Sequence, residues 1–276
     1  MLKTYVFLLY NYYIIMFKYC ISAHFSRIRS EKGANLQKSI DIHCHIMPGV
    51  DDGSPDMQTS LEMLRIAAKN GIEQMILTPH HKPMHHNVSP EHNVLYTKRL
   101  QEAAEKAGIN IKLYSGNEIY YSDDISDNLA DGKVCTLAGS EYALIEFHPT
   151  NPFKAIHNAA YQVQASGFIP VLAHVERYND IVSHFSYVED LVDMGCLIQL
   201  NASSIMGKYG FGISHFCKKI LKNELAHFVA TDAHDAGSRA PELMECRNYL
   251  TRKFGEEYSD RVLYDNPLSV IRGEEI

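Results

Sequence analysis

The chain has 276 residues, 46% of them hydrophobic and 21% charged, which is typical of a globular protein that buries a core without disulfide support. Its formal net charge of −7 argues against a general nucleic-acid binder, because phosphate binding needs clustered cations. The six cysteines form no C-x-x-C pair, which excludes a zinc ribbon and favours a reducing, cytoplasmic setting.

Residues 1–37 are predicted to form an extension in front of the domain. They contain an apolar run, Tyr5–Phe17, which is short for a membrane span and has no clear cleavage site after it. Three interpretations stay open: translation that begins at Met16, a membrane or export signal, and an ordered extension. Membrane association is expected only if the extension is real. Residues 38–276 are predicted to form a single domain.

From residue 39 onward, short apolar runs alternate with amphipathic stretches. SIDIH predicts the first strand, and the following helix is expected to begin at Ser54 and to end at Gly71. GIEQMILTPH predicts the second strand, and the helix after it is expected to run from Ser89 to Gly108. Five more strands are predicted by NIKLYSGNE, YALIEF, FIPVLAHV, CLIQLNAS and HFVATDAH. Further helices are expected near residues 123–129, 152–166, 187–194 and 214–223, with a last one that begins near Pro241.

This order of elements gives about seven strand–helix units in one direction. Strands that alternate with helices predict a parallel sheet with right-handed crossovers. Near-continuous apolar strands such as MILT and FVAT suit a sheet that is covered on both faces. Seven units are compatible with a closed barrel and with an open, doubly wound sheet.

Histidine and carboxylate residues stand at the carboxyl ends of six of the seven predicted strands, where α/β folds place their active sites. His43 and His45 point to the same face of their strand, as do Asp232 and His234, because side chains alternate with a period of two. The intervening Cys44 is expected to face the packing side. The same strand ends and the loops after them carry Asp51, Asp52, His80, His81, Glu118, Glu146, His148, His174, Glu176, Arg177 and Arg239.

Imidazole and carboxylate together suit zinc, manganese or iron. A single residue of this kind at a strand end is usually an ordinary loop residue, but a set this large predicts a metal site. Glu118 and Glu146 would be costly in a sheet interior unless they were paired or bound to a metal. His85, His86 and His92 are predicted to lie on solvent-exposed segments outside the site.

The motifs DIHCHIMPGVDDGS, GIEQMILTPHH, GNEIY, YALIEF, AHVERY and TDAHDAGSRAP follow one another between Asp41 and Pro241. In this combination they resemble the polymerase-and-histidinol-phosphatase (PHP) superfamily. Within it they resemble the bacterial manganese-dependent protein-tyrosine phosphatases associated with capsule and exopolysaccharide clusters. The resemblance implies a distorted seven-stranded parallel β/α barrel. One departure is Cys44, where the family pattern has a small residue between the two histidines.

The resemblance also implies a cofactor of three Mn²⁺ ions, with zinc or iron as alternatives. By motif, His43, His45 and Asp232 would hold one ion, and Glu118 would bridge it to a second. Glu146 and His174 would complete the second ion, and Asp52, His80 and His234 would hold the third. Arg177 and Arg239 match the family's phosphate-binding arginines, and we treat them as the catalytic pair.

The expected reaction is hydrolysis of a phosphate monoester by a metal-bound hydroxide, with no phosphoenzyme. His81 and Asp235 are both candidates for the proton donor. The resemblance suggests a phosphotyrosine protein as substrate, namely a bacterial tyrosine kinase that controls capsular or exopolysaccharide production. The alternatives are a small-molecule phosphoesterase, for example on histidinol phosphate, and a non-catalytic metal-binding or kinase-docking protein. The sequence leaves homo-oligomerisation open.

Overall fold

A computed structural model of the protein describes residues 38–276, and the predicted N-terminal extension lies outside the described residues. The described residues fold into an α/β unit with nine β-strands. These are β1 (Ser39–Cys44), β2 (Ile72–Leu77), β3 (His80–His81), β4 (Lys112–Ser115), β5 (Glu118–Tyr120), β6 (Tyr142–Glu146), β7 (Ile169–Leu172), β8 (Leu197–Asn201) and β9 (Phe228–Ala230). Each strand overlaps one of the seven predicted segments.

Two of the seven predicted strands are divided, which is why the structure has nine. Thr78 and Pro79 separate β2 from β3, and proline interrupts the ladder because it has no backbone N–H. Gly116 and Asn117 separate β4 from β5, and the Asn117 side chain donates to the carbonyl of Pro79 at 2.8 Å. A Cβ atom at Gly116 would lie 2.9 Å from the Ile76 side chain, so the close approach of these strands requires glycine.

All strand pairs are parallel, in the orders β1-β2-β4 and β3-β5-β6-β7-β8-β9. The first and last strands also meet at their carboxyl ends, through a parallel bridge between Cys44 and Ala233. There the His45 N–H donates to the Ala233 carbonyl, and the Asp232 N–H donates to the His43 carbonyl, each at 2.8 Å. The chain therefore forms the barrel and not the open sheet. Closure of the barrel brings His43 and His45 next to Asp232.

Helices cover the outside of the strands. They are α1 (Met57–Lys69), α2 (Pro90–Lys106), α3 (Ile125–Ala130), α4 (Phe153–Ala165), α5 (Asn179–Ser183), α6 (Ser186–Asp193), α7 (Ala202–Ile205), α8 (Phe211–Lys222), α9 (Met244–Phe254), α10 (Glu256–Asp260) and α11 (Asn266–Arg272). Two 3-10 turns occupy Leu137–Gly139 and Val175–Arg177, and a π-helical turn occupies Arg261–Asp265. No helix within residues 38–276 has both the length and the apolar character that a membrane crossing needs.

The start of α1 differs from the prediction. The helix begins at Met57 and its N-cap is Asp56, whose carboxylate accepts from the Thr59 N–H at 2.8 Å. The predicted cap, Ser54, is fully buried, and its hydroxyl lies 2.8 Å from that of Ser60 inside the helix. The second predicted cap is confirmed, since Ser89 precedes α2 and its hydroxyl accepts from the first turn.

The strands carry an apolar layer directly beneath the polar residues at their ends. Leu144, Leu197 and Ala230 lie two residues before Glu146, Gln199 and Asp232, and all three belong to one buried cluster. Cys44 lies in a second, larger cluster on the helix side, as predicted. The barrel thus offers a rigid, dry floor on which charged side chains are held at the carboxyl ends.

Candidate metal centre

Two histidines at the end of β1 present their Nε2 atoms to a common point. Gln199 Oε1 accepts from the His174 backbone N–H at 2.9 Å, which identifies that atom as the amide oxygen. The same oxygen lies 3.0 Å from His43 Nδ1, so this nitrogen must carry a proton and donate it. His45 Nδ1 lies 2.7 Å from a carboxylate oxygen of Asp51 and donates in the same way.

The two Nε2 atoms that remain are only 3.3 Å apart. Because both Nδ1 atoms are protonated, these nitrogens would face each other with lone pairs unless a cation lay between them. Burial by itself lowers the pKa of His43, but the carboxylates of Glu118 and Asp232 outweigh it and raise that pKa to about 9. A proton meets the requirement, and a divalent ion can replace it. The donor set therefore fits a metal ion.

Glu118, at the start of β5, is the centre of the cluster. Its Oε1 lies 2.9 Å from His174 Nε2 and 3.3 Å from His43 Nε2, and its Oε2 lies 2.9 Å from His80 Nδ1 and 3.3 Å from His45 Nε2. Burial alone would raise the pKa of this carboxyl, but the charge of His43 and the histidine hydrogen bonds lower it well below its usual range. One carboxylate that serves four imidazoles through two oxygens has the arrangement of a bridging ligand.

Asp232 follows β9 with a left-handed backbone, at a φ of 52°. Its Oδ1 lies 3.6 Å from the Nε2 atoms of both His43 and His45. Its Oδ2 accepts from Arg177 at 2.7 Å and from Arg239 at 2.9 Å. Burial opposes ionisation, but the charges of His43 and Arg177 keep the pKa of Asp232 below its ordinary value. This carboxylate joins the histidine cluster to the two arginines.

A second group of ligand-type residues stands nearer the rim. Asp52 Oδ1 lies 3.3 Å from His80 Nε2 and 3.6 Å from His234 Nε2, and the Asp52 side chain is 64% exposed. Burial lowers the pKa of His80, but hydrogen bonds with Asp52 and Glu118 raise it to about 10. Burial and the charge of His45 lower the pKa of His234 to about 3, so its ring is neutral and can donate a lone pair.

Glu146 lies between two histidines at the end of β6. Its Oε1 is 3.6 Å from His174 Nε2, and its Oε2 is 3.5 Å from His80 Nδ1. Burial and the neighbouring Glu118 raise the pKa of this carboxyl. His174 has a φ of 32°, so two of the clustered residues, His174 and Asp232, occupy the left-handed region that non-glycine residues rarely adopt.

The structure brings all nine predicted ligands into one set of overlapping groups, in each of which the ligand atoms lie within 4.8 Å of one another. The groups are His45, Asp52, His80 and His234; His43, His45 and Asp232; His43, Glu118 and His174; and His80, Glu118 and Glu146. One of them has the same members as a set that the resemblance implies, and another contains the implied set Asp52, His80 and His234 together with His45. The other two share Glu118, and each contains one member of the predicted pair Glu146 and His174.

Sequence reasoning missed the residues whose side chains hydrogen-bond to two of these ligands and orient them. Strand β8 supplies no ligand, but its Gln199 and Asn201 are fully buried and point into the site. Gln199 Nε2 donates to Asn201 Oδ1 at 2.8 Å, and Asn201 Nδ2 donates to Asp232 Oδ2 at 2.9 Å. With the contact to His43, this chain of amides links two predicted ligands of the same ion. The signal was present in LIQLN, where polar residues alternate inside a buried strand.

Other polar residues at the strand ends lie outside the groups. His148 is exposed and contacts Thr150, and His81 is half-buried and belongs to none of the groups. Asp235 accepts from the backbone N–H groups of Gly237 and Arg239, so it organises its own loop. His85, His86 and His92 are exposed, as predicted.

Arg177 and Arg239 line the opening of the site. Each side chain is 30% exposed, and both guanidinium groups reach the same oxygen of Asp232. A cavity of about 660 Å³ is lined by Arg239, Asp232, Lys208 and Tyr209 among others. Two converging guanidinium groups at the mouth of an acidic and imidazole cluster suit the binding of an anion, phosphate above all.

Comparisons with known proteins identify relatives over nearly the whole described chain. A family model for capsular polysaccharide synthesis, CpsB/CapC, matches residues 39–272. Tyrosine-protein phosphatase CpsB of Streptococcus agalactiae serotype III (strain NEM316) is 31% identical over 242 residues, which cover 86% of this chain and 100% of that protein. Tyrosine-protein phosphatase YwqE of Bacillus subtilis (strain 168) is 32% identical over 237 residues, which cover 86% of this chain and 93% of that protein.

A solved structure agrees with these sequence matches. It comes from the crystal structures of YwqE from Bacillus subtilis and CpsB from Streptococcus pneumoniae, described as unique metal-dependent tyrosine phosphatases. It superposes with a TM-score of 0.82 at 32% sequence identity, and the match covers 86% of this chain and 96% of that one.

Proposed function

The chain belongs to the CpsB/CapC family of capsular polysaccharide synthesis proteins, and on that premise we propose that it is a metal-dependent phosphatase that hydrolyses phosphotyrosine on proteins. The observation that carries the proposal is the contact of Glu118 with four histidines beside a pair of arginines. A carboxylate in a purely structural salt bridge needs only one cationic partner. A buried carboxylate that contacts four imidazoles and has two other carboxylates nearby is instead suited to binding metal cations.

We assign the nine clustered residues to three divalent ions, with manganese as the proposed metal and zinc or iron as alternatives. His43, His45 and Asp232 would hold one ion, with Glu118 bridging; Glu146 and His174 would complete the second; and Asp52, His80 and His234 would hold the third. When bound, such ions polarise phosphate oxygens and lower the pKa of water. The overlap of the groups at Glu118 supports a site with more than one ion.

The protein's own residues contribute binding and charge. Arg177 and Arg239 each offer a planar fork that can contact two phosphate oxygens at once. Because both reach Asp232 Oδ2, a phosphate held by the two arginines would lie against the carboxylate that anchors the histidine cluster. Positive charge placed against the equatorial oxygens, which carry negative charge, stabilises the transition state of phosphoryl transfer. Asp235 is poorly suited as a proton donor, because its carboxylate already accepts several hydrogen bonds in its loop.

We further propose that the physiological substrate is a phosphorylated bacterial tyrosine kinase that controls capsule or exopolysaccharide production. The capsular function of the family supports this choice. We also propose that residues 38–276 form the catalytic domain. The proposed function is compatible with a monomer and with a homo-oligomer.

Phosphate release by the full chain tests the function. The protein is stripped with a chelator and then given Mn²⁺, Zn²⁺ or Fe²⁺, with a phosphotyrosine peptide, a phosphoserine peptide and histidinol phosphate as substrates. We expect manganese to restore phosphate release from phosphotyrosine. Asp232→Ala should lower the rate of release more than about 100-fold, because mutation of residues that only hydrogen-bond to metal ligands already lowers metal affinity or activity about 10–100-fold. A metal-bound protein that releases no phosphate would favour a docking role, and a preference for histidinol phosphate would overturn the substrate.

The arginine pair has its own test. Arg177→Lys keeps the charge but removes the fork, so we expect KM for the phosphotyrosine peptide to rise about tenfold. Arg99→Lys makes the same change at an exposed position on α2 and is the matched control. Equal KM values for the two variants would contradict phosphate binding by Arg177.

A further inference from the structure

A second cavity shares Tyr209 with the cavity beside Arg239. We call it the aromatic cleft; its volume is about 580 Å³. It lies between the segment that follows Arg177 and the start of α8. Its lining residues are Val182, Ser183, Phe185, Tyr209, Gly212, Ile213, His215, Phe216 and Lys219.

Tyr209 lies between the aromatic cleft and the cavity that Arg239 lines. It lines both cavities, and the Arg177 guanidinium carbon lies 5.7 Å from the centre of its ring. The ring is 43% exposed, and Phe211, two residues further, is 86% exposed and stacks on His215 at the cleft edge. Exposed aromatic residues beside a binding site are typical of an interaction surface.

The charge of the cleft is opposite to that of the protein. The chain as a whole carries a net charge of −7, but no lining residue of the cleft is acidic. Lys219 is exposed, and its ammonium lies 3.8 Å from the centre of the Phe185 ring, where a cation–π contact holds it beside another lining residue of the cleft. Lys208 lies 5.9 Å from the Tyr209 ring on the other side. An acidic ligand with apolar side chains complements this surface.

We propose that the aromatic cleft binds the substrate polypeptide beside the phosphotyrosine and selects substrates with an acidic residue next to an apolar one there. This inference rests on the proposed function, because Arg177 must hold the phosphate for the cleft to meet its flank. The distances are suitable. An extended peptide advances about 3.3 Å per residue, so positions two or three residues from the phosphotyrosine reach past a single tyrosine ring. The cleft thus makes the protein selective for sequence context as well as for the phosphate.

Charge reversal at Lys219 tests the proposal. The manganese-loaded full chain is assayed with two phosphotyrosine peptides that differ only in their flanks, one acidic and one neutral, and with a small aryl phosphate that has no flank. Lys219→Glu is compared with Lys222→Glu, an exposed lysine one turn further along α8 that does not line the cleft. Both variants change the net charge equally, so only a local effect separates them.

We expect the wild-type protein to prefer the acidic peptide about three- to tenfold through KM. Lys219→Glu should remove that preference with kcat unchanged, while Lys222→Glu should keep it, in line with the small free energies of exposed ion pairs. The small aryl phosphate should be hydrolysed equally by all three proteins. Equal preference for the acidic peptide in the two variants, or no such preference in the wild type, overturns the cleft proposal. In either case, hydrolysis of the aryl phosphate would show that the phosphatase function stands. Loss of hydrolysis of every substrate by the wild type would overturn the function itself.

Discussion

The amide relay behind the histidines gives the sharpest prediction, which is that Gln199→Met weakens both the metal site and the fold. Gln199 is fully buried, and methionine has a similar volume, so the substitution removes hydrogen bonds without opening a large cavity. It leaves three polar groups unpaired: the His174 N–H, the His43 Nδ1–H and the Asn201 Oδ1.

An unpaired buried group costs about 1–3 kcal/mol, so three of them set a range of about 3–9 kcal/mol. We expect a loss near the lower end, because the three groups share one network and their effects do not add fully. That is still a large part of a typical unfolding free energy of about 5–15 kcal/mol. Metal affinity should fall 10–100-fold, since an outer-shell partner fixes the orientation of the ligand ring.

Urea unfolding of the chelated protein measures the first effect, and manganese titration of the refolded protein by calorimetry measures the second. Gln199→Glu keeps an acceptor for His43 and His174 and should retain most of the metal affinity. Gln74→Met changes a glutamine on β2, where it accepts from the Tyr114 hydroxyl away from the site, and controls for loss of a strand amide. If Gln199→Met binds manganese as tightly as the wild type, the relay does not position His43.

The same structure supports four further predictions. Asp51→Asn should lower manganese affinity 10–100-fold in calorimetry, because Asp51 accepts from His45 Nδ1 and from the His80 N–H; unchanged affinity would show that β1 alone orients His45. In the protein stripped of metal, the pKa values of His43 and His80 are raised from 6.5 to about 9 and about 10. Their protonated forms therefore stabilise the fold fully below pH 6.5. Urea unfolding should show that this contribution is lost as the pH rises through 9 to 10. For the same reason manganese affinity should increase from pH 6.5 to 8.5, because the ion competes with these protons, and a flat profile would refute the protonated state. Tyr178→Phe should lower the unfolding free energy by about 1–3 kcal/mol, since the buried hydroxyl donates to the Ala173 carbonyl at 2.7 Å and accepts from the Phe147 N–H; a Tm within 1 °C of the wild type would contradict that contribution.

The ligand-type residues could be predicted from the sequence because their chemistry and their spacing are both local properties. His43 and His45 share a face by the period of a strand, and strands that alternate with helices place all carboxyl ends at one edge. The apolar character of the strands also predicted a sheet that is covered on both faces. The start of α1 was predicted wrongly because both Ser54 and Asp56 are good N-caps, and only the burial of Ser54 against Ser60 decides between them.

The sequence by itself determined the types and the spacing of the ligand-type residues, and only the tertiary structure decided how they are grouped and held. Glu118 meets four histidines from three other strands, an arrangement that depends on barrel closure through Cys44 and Ala233. Gln199 and Asn201 look like ordinary strand amides until β8 lies beside β7 and β9, where their hydrogen bonds reach His43 and Asp232. The aromatic cleft likewise depends on segments more than twenty residues apart. Residue type and period are encoded locally, whereas distances between strands arise only when the whole chain packs.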